Sequence, residues 1–134
     1  MLSSHEPTCV AKLADFGLAQ LIPKEGMVTQ NLTGTFGYQA PEIVKGKPYG
    51  TSADIWQLGC LLFAMLTITL PVMIEDFDIS NSASSSLLFD RVSQNIDELA
   101  ESDSCKDLLK GMLAINPEFR FTAEQVLEHP FFDN

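Results

Sequence analysis

Apolar residues are spread unevenly along this chain. The densest run, LGCLLFAMLTITLPVMI from Leu58 to Ile74, carries no charge. It approaches the length of a membrane span, but Thr67 and Thr69 interrupt it, Pro71 breaks it, and Asp54 and Trp56 lead into it. The pattern therefore predicts a helix buried on all sides in a core, from near Asp54 to about Thr67, with Ser52 as N-cap. Further on, Leu108, Leu109, Met112 and Leu113 form a helical stripe behind Ser102 or Ser104, either of which can cap it, and Asn116-Pro117 stops it. Leu88, Phe89 and Val92 mark a helix over about Leu87 to Val92. Thr122 with Gln125 fits a capping box that opens a short helix, TAEQVLEH, ending before Pro130. Ala40 to Val44 reads as one more short helix.

Between these elements the pattern weakens. Residues 8 to 16 hold two short apolar pieces around Lys12, consistent with a small β-hairpin remnant. From Leu18 to Lys47 no helical period is sustained, and Gly26, Gly34, Gly37, Pro41 and Gly46 punctuate the segment. An irregular stretch of that length inside a compact domain is usually functional or disordered. Residues 75 to 86, EDFDISNSASSS, are acidic and then serine-rich, which suggests a surface loop. The fold class expected is mainly α, in one domain, with a hydrophobic content of 46% sufficient for a core.

Charge narrows the partners. Eighteen acidic against eight basic residues give a net charge of -10, which argues against nucleic acid. Cys9, Cys60 and Cys105 are odd in number and far apart, so neither a disulfide framework nor a zinc site is suggested. The start, MLSSHEPTCV, lacks the basic and apolar regions of a secretion signal. The setting expected is intracellular and cytoplasmic, without membrane insertion.

Candidate chemistry appears as an ordered series. Asp15-Phe16-Gly17 is followed by Gly34-Thr35-Phe36-Gly37-Tyr38-Gln39-Ala40-Pro41-Glu42, then by Asp54-Ile55-Trp56 with Gly59, then by Arg120 and by His129-Pro130-Phe131-Phe132. In this order and spacing the series resembles the second half of a eukaryotic-type protein kinase domain, from the Asp-Phe-Gly motif to the domain end. The resemblance covers about residue 9 to residue 132. The parent fold of that family is α+β, so this chain would hold its helical C-terminal lobe, with an activation segment over 15–42 and the helical lobe over 43–132.

The resemblance also implies roles. ATP and Mg²⁺ would be the cofactors, and Asp15 the carboxylate on the Mg²⁺ that bridges the phosphates, because hard cations take oxygen ligands. Phe16 would pack beneath Asp15 and report the active or inactive arrangement, while Gly17 gives the backbone freedom to switch. Read without the family, Asp15 is a turn aspartate and Phe16 ordinary core. Thr35, in the Gly-Thr pair, would help shape the pocket for the residue after the phosphorylated one, which favours serine/threonine specificity; otherwise it is a turn hydroxyl. Glu42 of Ala-Pro-Glu would form a buried ion pair with Arg120. Asp54, grouped with Trp56 and Gly59, would accept hydrogen bonds from the catalytic-loop backbone, and Leu61 and Met65 would anchor the apolar column under the adenine. The usual activating phosphorylation position falls on Asn31, which leaves Thr29 and Thr33 as candidate phosphorylation sites. Ile68, Pro71, Val72 and Ala64 depart from residues common in the family.

Other kinase parts are missing from these residues. The chain contains no glycine-rich phosphate loop and no strand lysine paired with a helix glutamate. Its two histidines, His5 and His129, are not followed by Arg-Asp. Phosphoryl transfer depends mostly on positioning and charge stabilisation, so Asp15 alone is expected to give no useful rate. Two readings stay open: part of a serine/threonine kinase domain acting on protein substrates, or a stand-alone inactive module that binds kinases or their substrates as a scaffold. A nucleotide-binding helical domain is weaker, for want of a phosphate loop. Without the small lobe and catalytic loop, apolar surface around Leu13, Phe16, Leu61 and Met65 is expected to be exposed and Asp54 to lack donors, favouring marginal folding or self-association.

Overall fold

A computed structural model describes residues 11–22, 28, 34–35, 37–72 and 84–133. Among these residues five helices follow in order: α1 (Pro41–Val44), α2 (Ser52–Thr67), α3 (Ser84–Asp97), α4 (Asp103–Met112) and α5 (Ala123–Leu127), with 3-10 turns at Phe16–Leu18 and Pro130–Phe132. The expected helical class is what the chain shows. Helix α4 sits in the middle, packed by α2, by α3 and by the Pro130–Phe132 turn. The core runs through Trp56, Cys60, Phe63, Leu88, Val92, Ile96, Leu109 and Leu113.

Two close approaches fix how α4 packs. A Cβ on Gly59 would stand 2.9 Å from Leu113 and 3.1 Å from Met112, so the missing side chain lets α2 lie directly on α4. At Gly111 a Cβ would fall 2.1 Å from the ring of Phe121, which occupies that space instead. The capping reads well where it is local. Ser102 Oγ accepts the Cys105 N–H at 3.2 Å, which selects Ser102 over Ser104. At α5, Thr122 Oγ1 accepts the Gln125 N–H at 3.2 Å and Gln125 Oε1 accepts the Thr122 N–H at 2.8 Å.

Four expectations need correction. Ser52 is not the N-cap of α2 but its first residue; Thr51 occupies the cap position without a side-chain bond. The Ala53 and Asp54 N–H groups are met by the Gly50 and Thr51 carbonyls instead, at 3.0 and 3.1 Å. Helix α2 is also not buried on all sides. Leu58, Leu61 and Met65 are 46%, 47% and 74% exposed, because α4 covers only the opposite face. Helix α3 is longer than Leu87 to Val92: it extends back over residues 84–86, expected as loop, and forward to Asp97. Burial of Leu88, Val92 and Ile96 at four-residue spacing drives it, and Asn95 Nδ2 anchors it to the Pro71 carbonyl at 2.7 Å. Finally, residues 11–15 form no strand and are exposed. A two-stranded ribbon with nothing to pack against gains too little burial to hold. Residues 8–10 of that hairpin lie outside the described set; among described residues the β pairing is a single antiparallel bridge, Val28 with Tyr49.

Helix α2 ends abruptly. Ile68 adopts a left-handed conformation, φ 64, while its N–H still reaches the Ala64 carbonyl at 2.8 Å. A β-branched residue is strained there. Thr67 Oγ1 donates to the Phe63 carbonyl at 2.9 Å and accepts the Thr69 N–H at 3.2 Å, tying the turn down. Among the described residues, no helix is long and apolar enough to cross a membrane.

Candidate functional site

The Asp15-Phe16-Gly17 segment stands apart from the core. Asp15 takes a left-handed conformation, φ 60, and its Oδ1 accepts the Gly17 N–H at 3.2 Å, so the carboxylate caps the tight turn that follows. Phe16 is 71% exposed and Leu13 90% exposed, so nothing described here packs on either. The described residues gather no group of three or more His, Cys, Asp or Glu side chains that could hold a metal. Mg²⁺ demands octahedral oxygen ligation. Asp15 by itself does not supply it.

A second arrangement is fully assembled. Glu42, in the first turn of α1, and Arg120, just before α5, are 78 positions apart and both buried. Arg120 NH1 donates to Glu42 Oε1 at 2.7 Å and NH2 to Oε2 at 3.0 Å, a bidentate fork. The remaining N–H groups go to main-chain carbonyls: Ser52 at 2.9 Å, Ala114 at 3.0 Å and Ile115 at 3.4 Å. The guanidinium also lies 5.2 Å from the centre of the Trp56 ring. One side chain thus ties α1, the start of α2 and the turn after α4 together. Burial pushes the nearby Cys60 thiol up to about 12 against the pull of Arg120, so this cysteine is an inert core residue.

The other expected residues are more scattered. Trp56 is completely buried in the core, and Gly59 marks the α2–α4 contact. Asp54 sits in the first turn of α2, exposed and without a side-chain donor among the described residues; desolvation nonetheless holds its carboxyl above the ordinary value. Thr35 is exposed, its carbonyl accepting the Tyr38 N–H at 3.2 Å. Thr29 and Thr33 lie outside the described residues. Sequence reading placed His129 in the closing motif but did not foresee its contacts; it is buried, its Nδ1 accepts the Phe131 N–H at 3.2 Å, and Nε2 is left to donate to Asp107 Oδ2 at 3.1 Å. Helical spacing gives no signal for that pair.

Motif order and the Glu42–Arg120 clamp agree with the comparison against known families. Residues 1–132 match the protein kinase domain, and the chain belongs to that family. Among similar proteins, the serine/threonine-protein kinase cds1 of Schizosaccharomyces pombe is 38% identical over 90% of this chain and 27% of its own length. The SNF1-related protein kinase catalytic subunit alpha KIN12 of Arabidopsis thaliana is 34% identical, over 94% of this chain and 24% of its own. The Drosophila melanogaster calcium/calmodulin-dependent protein kinase type II alpha chain is 35% identical, over 98% and 24%. The chain therefore spans about a quarter of the length of the curated relatives it matches.

Proposed function

We propose that this chain is the activation-segment and helical part of a serine/threonine protein kinase domain, and that residues 1–134 alone do not transfer phosphate. In this reading residues 15–42 are the activation segment, with Thr29 and Thr33 as phosphorylation sites, and residues 43–132 are the lobe beneath it. Asp15 is one oxygen ligand for the Mg²⁺ of ATP, and Thr35 lines the place of the acceptor peptide. When bound, Mg²⁺ and ATP supply the transferable phosphoryl group and neutralise its charge. The remaining ligands, the phosphate cradle and the base come from parts of a kinase domain that these residues do not include.

The observation that carries the proposal is the open face of α2. Asp54, Leu58, Leu61 and Met65 recur at four- and three-residue spacing along one stripe, all exposed, and Asp54 meets no side-chain donor among the described residues. A stripe of that kind suits coverage by further chain. One observation favours the alternative, an inactive scaffold: the saturated Arg120 clamp and continuous core can hold without additional residues. Thermal melts of the 134-residue chain with and without MgATP, beside Asp15→Asn, together with phosphate incorporation into a serine peptide, test the proposal. We expect no Asp15-dependent shift and no incorporation. Incorporation abolished by Asp15→Asn would overturn the claim that the chain is inactive alone.

A further inference from the structure

Away from the α2 face, α3, the end of α4 and the turn that follows enclose a pocket of about 510 Å³. Its size falls within the ordinary range of ligand sites. Its floor is the buried trio Val92, Ile96 and Leu113. Phe89 from α3 and Phe119 from the turn form its walls, 57% and 77% exposed, so two large aromatic rings are left out of the core. Lys110, the cation among the described lining residues, is already met by Asp97 Oδ1 at 2.6 Å.

Phe119 does not stand out because its loop is loose. Its N–H donates to the Asn116 carbonyl at 3.1 Å, and the preceding Glu118 N–H donates to Asn116 Oδ1 at 3.1 Å. The next residue is Arg120, fixed by the Glu42 fork. The ring is thus held outward between a closed turn and a buried ion pair. A rigid aromatic presented in this way loses little freedom on binding.

Charge narrows the occupant. Asp90 is four residues after Ser86 and three before Ser93, so it neighbours the lining residues of α3 at the pocket rim, while Asp97 is taken up by Lys110. Glu118 adjoins Phe119 on the other wall, while Arg91 falls by helical spacing on the far side of α3. The rim is acidic on both sides of an apolar slot.

We propose that this pocket is a docking site for a protein segment that inserts one bulky apolar side chain between Phe89 and Phe119, with lysine or arginine on either side of it. The inference does not depend on the catalytic reading. An apolar side chain gains burial against the floor and both rings. Its basic neighbours meet Asp90 and Glu118.

The test uses the whole chain and a dye-labelled peptide, Gly-Lys-Lys-Trp-Lys-Lys-Gly, followed by fluorescence anisotropy. We expect saturable binding that weakens about tenfold or more when the peptide tryptophan becomes alanine, and comparably when its lysines become glutamates. Phe89→Ser and Phe119→Ser alter exposed side chains, so both variants should keep the parent melting behaviour while each loses about tenfold in affinity. Absence of binding would overturn the proposal. So would equal binding of the alanine peptide, or affinity untouched by both serine variants, which would place the peptide elsewhere. Dodecanoate binding that depends on Phe89 and Phe119 while the peptide does not bind would assign the pocket to an amphiphile and would equally defeat it.

Discussion

Replacing Glu42 by Gln keeps its shape and removes its charge, which leaves the Arg120 guanidinium buried and uncompensated. Arg120 is 0% exposed in its side chain, so water cannot take over the lost role. Breaking a buried pair from one side costs about 3–5 kcal/mol, and the surviving carbonyl bonds from Ser52, Ala114 and Ile115 place Glu42→Gln near the lower figure. Arg120→Met should cost more. It strands Glu42 and also leaves those three carbonyls without their donor, each worth about 1–3 kcal/mol if it finds no water. Against a total stability of about 5–15 kcal/mol for a domain, the glutamine variant should still fold and the methionine variant should be largely unfolded. Urea titrations followed by far-ultraviolet circular dichroism measure both, with the slope checked for a two-state transition. The double variant Glu42→Met/Arg120→Met should recover part of the loss. A Glu42→Gln cost below about 1 kcal/mol, or one exceeding that of Arg120→Met, would refute the reasoning that the charge is buried and held by Glu42 first.

Other expectations follow from the same geometry. Ile68→Gly relieves a left-handed conformation worth about 1–2 kcal/mol and gives back about 0.5–1 kcal/mol in chain entropy, so a small net rise in melting temperature is expected; a fall would mean the turn is not strained. Gly111→Ala drives a methyl into the Phe121 ring and should cost about 1–3 kcal/mol by urea titration, with Phe121→Leu/Gly111→Ala recovering part of it. For Asp54, burial raises the folded-state pKa, so ionisation opposes folding. Asp54→Asn should therefore stabilise the chain at neutral pH, and its advantage should shrink as pH falls through the raised pKa and both side chains become neutral; a pH series of melts reads this. Met65→Lys and Leu61→Lys should lower any self-association seen by light scattering while leaving the melt intact, since both side chains lie on the open face.

How far the fold could be read depended on how local its causes were. The Thr122–Gln125 capping box spans three residues and was legible directly, as was the Leu108–Leu113 stripe. The start of α3 was obscured because residues 84–86 are serines, weak helix formers whose placement is decided by burial of Leu88, Val92 and Ile96 further along. The faces of α2 could not be told apart in a run apolar on every side: which face is covered depends on where α4 packs. Neither the left-handed Ile68 nor the His129–Asp107 pair has a periodic signature. Glu42 and Arg120 could be paired only through motif order, because nothing in either neighbourhood refers to the other.

The Arg120 clamp also bears on how the chain opens. By joining residues 42 and 120 it closes most of the molecule into one loop without a covalent bond, and closure entropy grows only slowly with loop length. Helix α1 is a single turn that could not persist alone, yet its Glu42 is tied by the buried fork to Arg120 in the turn after α4. Amide hydrogen exchange in α1 should therefore keep pace with that of α4, so a single turn of helix reports the opening of the whole.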